Sequence, residues 1–146
     1  MTKAEEILQT LITRLQGITV AGGYQSEVSA VLRGHEAVAV NDDLPLPYLT
    51  VQTIAERELD HRADRGRLER EILIVALLEV TPDLDEKQAR LMLDIRRALR
   101  IWESRPLNGL ALTIAENRGD YDVPEQGSEI VAFNLSITLT YVEIYS

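Results

Sequence analysis

Between Glu129 and Tyr145 the odd positions Val131, Phe133, Leu135, Ile137, Leu139 and Tyr141 are apolar, while Asn134, Ser136, Thr138 and Thr140 hold even ones. A period of two sends alternate side chains to opposite faces, so this stretch predicts a long strand with one buried face. Near the other end of the chain the period changes. Ile7, Leu8, Leu11, Ile12 and Leu15 recur at steps of three and four, predicting an amphipathic helix over residues 3–16. Thr2-Lys3-Ala4-Glu5 has the spacing of a capping box at its start. Gly17 can end it, because glycine tolerates a left-handed conformation.

The middle of the chain is less periodic. Residues 17–41 contain Gly22-Gly23 and scattered apolar positions, which leaves one or two strands as the expectation. Asp42-Asp43-Leu44-Pro45-Leu46-Pro47 reads as an extended connection, because a residue before proline is pushed out of the helical region. A strand rich in Thr, Val, Ile and Tyr is expected over residues 48–57, then a charged, solvated loop over residues 58–66. Residues 67–80 have an apolar centre and charged ends, which predicts a strand covered on both faces.

Thr81-Pro82-Asp83 is expected to start a second helix, with Pro in its first turn and early acids at the positive end of the dipole. Leu84, Leu91, Ile95, Leu99 and Trp102 would form its buried side, and Pro106 would close it by Ser104 or Arg105. A short strand over residues 110–118 and a polar loop over residues 119–127 complete the pattern. The fold class is α+β: a mixed, mainly antiparallel sheet of four to five strands packed with two helices, in the order α-β-β-β-α-β-β. A strand of sixteen or so residues spans roughly 50 Å, against a radius of gyration of about 15 Å for a compact domain of this length. The long strands at 67–80 and 129–145 therefore bend or overhang, and pairing of their edges between subunits would protect them.

Composition narrows the function. A chain of 146 residues suits one domain, spanning residues 1–146. The longest apolar run, residues 72–78, is far short of the roughly 20 residues of a membrane span, and Met1-Thr2-Lys3-Ala4-Glu5-Glu6 is no signal-type segment. A soluble protein made in the cytosol, with no membrane partner, is expected. With no cysteine there are no disulfides, thiolate nucleophiles or cysteine-based zinc sites. A net charge of −9 repels nucleic-acid phosphates, which argues against specific DNA binding.

Candidate chemistry is sparse. His35 and His61 fall in no nucleophile elbow or metalloprotease spacing, and His61 with Asp60 and Asp64 fits a hydrated loop better than a metal site. Gly22-Gly23 lacks the Lys-Ser or Lys-Thr of a phosphate loop and reads as a turn. Asp42-Asp43 and Asp83-Asp85 have non-catalytic explanations in a proline-rich connection and a helix start. Arg57, Arg62, Arg65, Arg67 and Arg70 interleave with Glu56, Glu58, Asp60, Asp64, Glu69 and Glu71, which cancels a phosphate-binding field and points to a protein contact or a solvated hairpin tip. Arg90, Asp94 and Arg97 share a helix face, as an exposed ion-pair ladder or, alternatively, a subunit contact. No catalytic residue, metal ligand or cofactor is expected. The interface candidates are Arg57, Asp60, His61, Arg62, Asp64, Arg65, Arg67, Arg90, Arg97, Thr138 and Thr140.

The element order, with Leu46-Pro47-Tyr48-Leu49-Thr50-Val51, Leu77-Leu78-Glu79-Val80 and Ile137-Thr138-Leu139-Thr140-Tyr141-Val142-Glu143, resembles the tail terminator proteins of long-tailed bacteriophages. Leu107-Asn108-Gly109-Leu110 and Tyr121-Asp122-Val123-Pro124-Glu125 extend the resemblance over nearly the whole chain. The resemblance implies a homo-oligomeric ring, usually of six subunits, on the head-proximal end of the tail tube. Such a ring stops tube polymerisation and joins the tail to the head connector, and DNA slides through it without specific binding. Its place would be the virion tail, and the host cytoplasm during assembly. Head completion and neck proteins share related folds and the job of ring stacking, and a small-molecule-binding α+β domain is the reading from another class.

Overall fold

The computed structural model describes residues 2–34 and 44–145. The chain begins with helix α1 (Lys3–Gln16), where the Thr2 hydroxyl accepts a hydrogen bond from the backbone N–H of Glu5. Ile7, Leu11, Ile12 and Leu15 are its buried face. Gly17 closes it as expected, but in a right-handed conformation, at φ −77°, so its tolerance of a left-handed one is not used. The Gly17 N–H still reaches the Arg14 carbonyl and the Ile18 N–H the Leu15 carbonyl, and that tightened last turn needs no positive φ.

Among the described residues five strands follow: β1 (Ala30–Arg33), β2 (Tyr48–Arg62), β3 (Arg65–Glu79), β4 (Thr113–Tyr121) and β5 (Ile130–Ile144). They form one sheet in the order β1-β2-β3-β5-β4, antiparallel except for the β1–β2 pair. Helix α2 (Leu84–Leu99) lies between β3 and β4 in sequence. The fold is thus α+β. Both helices bury their apolar sides in one core with Leu49, Val51, Ile72, Ile74, Ala76, Phe133, Leu135, Ile137 and Leu139 of the sheet. Every odd position from Val131 to Tyr141 is buried, as the period of two requires.

Several boundaries differ from expectation for local reasons. Residues 58–62 are not loop but the continuation of β2, which pairs with β3 down to Arg62↔Arg65 across two register shifts. Charge density misled here, because edge and hairpin strands tolerate solvated charged side chains on both faces. Strand β3 is covered on one face only. Leu73, Val75 and Leu77 on the other face are half-buried, flanked in register by Gln52 and Ser136, Thr50 and Asn134, and Tyr48 and Ala132. Shielding by neighbouring rows on the same face explains the continuous apolar run without a second layer.

Helix α2 starts at Leu84, after Pro82, with Asp83 as its cap residue, and ends at Leu99 because Arg100 turns left-handed at φ 51°. Pro106 sets only the latest point at which a helix can end. Trp102, expected on the buried side, is 70% exposed beyond that turn. Strand β4 runs to Tyr121, so residues 119–121 belong to it and not to the following loop. His35, Val38, Val40, Asp42 and Asp43 lie outside the described residues.

Candidate assembly interface

The ladder β2–β3–β5 has two chemically distinct ends. At the end near Glu79 and Ile130 its core-facing residues are apolar and lie under the helices. Past Ile72 and Leu139 the same face changes character. There Tyr141 is buried, and its hydroxyl donates to Glu56, which also accepts from Arg70 at 2.8 Å. The Arg70 guanidinium lies 5.8 Å from the Tyr141 ring centroid, so cation–π attraction adds to the ion pair. Partial burial pushes the Glu56 carboxyl up, but the hydrogen bonds from Tyr141 and Arg70, with the guanidinium charge, outweigh it and hold the group below its usual range. Burial and donation to Glu56 push the Tyr141 phenol upward.

Nearer the tip, the Tyr145 hydroxyl donates to Glu58 at 2.8 Å, and His61 Nδ1 lies 3.0 Å from the other Glu58 oxygen. Gly66 makes this crossing possible. A Cβ there would fall 2.1 Å from the Tyr145 hydroxyl, so any larger residue displaces that ring. The Tyr145 N–H donates to the Asp64 carbonyl, which ties the C-terminal strand to the turn. The open face of the same segment carries the ion pairs Arg57–Glu69 (3.1 Å) and Arg67–Asp60 (2.7 Å). Asp64 pairs with its neighbour Arg65, whose hydrogen bond and charge lower the Asp64 carboxyl pKa. Asp60, Arg62, Arg65 and Arg67 surround a shallow depression with Val142. Arg62 makes no ion pair there.

The structure therefore gathers Arg57, Asp60, His61, Arg62, Asp64, Arg65 and Arg67 at one end of the sheet but divides them, with His61 on the helix side and the others on the open side or at the turn. Arg90 and Arg97 are elsewhere, on α2. Of the exposed ladder expected of Arg90, Asp94 and Arg97, only the Arg97–Asp94 pair forms, and its carboxylate is not exposed. Arg90 pairs with Glu86, and Asp94 is fully buried, accepting from the backbone N–H groups of Gln25 at 3.0 Å and Ser26 at 2.7 Å. Arg97 stays beside Asp94 at 3.6 Å, with its guanidinium 5.0 Å from the Tyr24 ring centroid. Helical spacing reported a common face correctly, but that face is covered by the chain at residues 24–26. These groups bolt a turn to a helix.

Thr138 and Thr140 also need correction as residues of a sheet edge. Strands β3 and β5 are interior, and the outer strands are β1 and β4. Thr140 is opposite Thr113 and Thr138 opposite Ala115 of β4. The Thr138 hydroxyl accepts from Asn117 at 2.7 Å in a polar row with Ser136 and Glu71 on the open face. A seam along the edges of β3 and β5 is excluded, because those edges are already paired.

One site at the apolar end has no counterpart in the sequence reading. A groove of about 410 Å³ runs between α2 and the segment after β4, lined by Leu84, Asp85, Gln88, Ala89, Tyr121 and residues 122–124. Gln88 is 7% exposed, and its Nε2 is buried without a hydrogen-bond partner. Leaving such a donor unsatisfied costs about 1–3 kcal/mol. Val123 is 86% exposed at the rim, while the Tyr121 ring is stacked on Phe133 at 5.2 Å. An apolar pair in Tyr121-Asp122-Val123-Pro124 inside a polar stretch was the signal that could have marked it.

The chain matches no protein-family model and no curated protein in sequence. Among the described residues, no three His, Cys, Asp or Glu side chains converge as metal ligands, and no helix is long and apolar enough to cross a membrane.

Proposed function

We propose that this protein is a structural ring subunit, a tail terminator that caps the head-proximal end of a phage tail tube, ends tube growth and joins the tail to the head connector. The observation that carries the reading is the sheet itself. One face is sealed by helices, the other is open, and the ladder β2–β3–β5 continues past the apolar core into a segment held by cross-strand polar pairs. A subunit with two unlike ends and an uncovered face is suited to repeated head-to-tail association, and closed rotation of such contacts gives a ring. The resemblance of the chain to tail terminators supplies the layer, a homo-oligomer of about six copies between tube protein and connector, with DNA passing through a channel that the charge of −9 per subunit keeps from sticking. In this role the protein performs no catalysis. Its working place is the virion, reached from the host cytoplasm.

Two measurements test the proposal. Negative-stain micrographs of the purified protein should show rings of uniform diameter, and addition of those rings to polymerising tail-tube protein should stop tube elongation. A protein that remains monomeric at every attainable concentration, or rings that leave tube length unchanged, would overturn it.

A further inference from the structure

The groove beside Gln88 and the tip of the β2–β3 hairpin are at opposite ends of one ladder. From Arg65, paired with Ile144, to Glu79, paired with Ile130, β3 runs without a register shift. Tyr121 of the groove is opposite Phe133, which is opposite Ala76, so at about 3.3 Å per residue the groove lies roughly 36 Å along the ladder from Arg65. They cannot meet within one chain. Their chemistry is nevertheless complementary. The groove presents the carboxylates of Asp85 and Asp122, the face of Tyr121 and an apolar rim at Val123, with the unsatisfied Gln88 amide in its wall. The hairpin tip presents Arg62, which makes no ion pair among the described residues of its own subunit, and a narrow turn whose peptide carbonyls can accept a hydrogen bond. An arginine placed over a tyrosine ring between two carboxylates gains both ion pairing and cation–π attraction.

We propose that the hairpin tip of one copy, residues 62–65, docks in the groove between α2 and residues 121–124 of the next copy. The contact rests on the ring-subunit reading and gives that reading its seam. The Arg62 guanidinium enters between Asp85 and Asp122 against Tyr121, and a main-chain carbonyl of the turn takes the Gln88 Nε2–H. Because the two surfaces are different and lie at opposite ends of the subunit, the contact is heterologous and every copy offers one of each.

The native chain has no cysteine, so engineered thiols report on this contact alone. A variant carrying both Ala63→Cys and Val123→Cys should, on mild oxidation, give a ladder of disulfide-linked oligomers in non-reducing gels, whereas each single variant should give none beyond traces. A double variant that links no better than the singles overturns the contact. Efficient dimers of Val123→Cys alone would mean groove-to-groove pairing and overturn it equally. In sedimentation velocity, Arg62→Asp and Asp122→Arg should each raise the concentration for half-assembly at least tenfold with unchanged circular dichroism, and the charge-swapped double variant should recover most of that loss. If the parent protein forms rings and both single variants assemble as it does, this contact is wrong while the ring reading stands. If the parent never assembles, both are wrong.

Discussion

The two ends of the β2–β3–β5 ladder share one hydrogen-bond pattern yet are stabilised by different physics. Under the helices, β3 and β5 contribute Ile72, Ile74, Ala76, Phe133, Leu135 and Ile137 to a core from which water is excluded. At the hairpin end the equivalent positions hold Arg70, Gly66, Tyr141 and Glu143, and the partners Glu56 and Glu58 come from β2. Burial of apolar surface grows with area and involves no titrating group. Cross-strand polar pairs contribute less and depend on salt and pH. The difference assigns the fold to the covered end, whereas the hairpin end depends on cross-strand polar pairs.

The largest expected effect lies in the covered end. Leu135 is fully buried between the helices and the sheet, and Leu135→Ala should cost about 3 kcal/mol through lost burial and a residual cavity. Urea unfolding followed by circular dichroism measures it. A loss below about 1 kcal/mol would mean that the core is not the main source of stability, and the contrast between the two ends would disappear.

Asp94 comes next. Its carboxylate is fully buried and accepts from the N–H groups of Gln25 and Ser26, so Asp94→Ala leaves those donors without their acceptor. The expected loss is about 2 kcal/mol. Asp94→Asn, which keeps one carbonyl oxygen, should lose less. Equal losses in the two variants would assign the effect to the charge and its neighbour Arg97 instead of the turn.

At the hairpin end, Tyr141→Phe removes the hydroxyl that donates to Glu56 and should cost about 1 kcal/mol. The same cluster sets a pH dependence. The Glu56 pKa is lowered in the folded protein, so the unfolded chain binds a proton first on acidification. The associated stability is present above the ordinary carboxylate pKa, about 4.3, and is lost as pH falls through the lower folded value. Thermal midpoints of the parent protein should therefore fall more steeply below about pH 4.3 than those of Glu56→Gln. Parallel curves would remove Glu56 as the source.

Element types were legible wherever a period ran long enough to be supported by packing. The alternation from Val131 to Tyr141 and the helical steps from Ile7 to Leu15 each correspond to one buried face. Legibility failed where one residue type serves two environments. Charged residues 58–62 look the same in a loop and in a two-sided exposed strand, and Asp94 has the same spacing to Arg97 whether its face is open or covered by residues 24–26. Of the site, sequence located the cluster at the hairpin but not its division between two faces. It missed Gln88 because an unsatisfied buried amide is a property of three-dimensional surroundings. It also could not assign the edges, since β3 and β5 became interior strands only through the order of pairing.

The smallest expected effect tests the other half of the comparison. Arg67 and Asp60 form a 2.7 Å ion pair on the open face, with the two side chains 47% and 60% exposed. Exposed pairs contribute about 0–1 kcal/mol because water solvates each partner almost as well and ordering both side chains costs entropy. Removing Arg67 leaves Asp60 free to hydrate, and the backbone pairing Asp60↔Arg67 is untouched by a change of side chain. Arg67→Ala should therefore shift unfolding free energy by no more than about 0.5 kcal/mol, and raising sodium chloride from low to molar concentration should shrink that small difference further towards zero. A loss as large as that of Tyr141→Phe, fading with salt, would mean that the surface ion pairs act as one network which holds the hairpin end together, and that this end is specified by its charges and not by the ladder and the buried Tyr141 cluster.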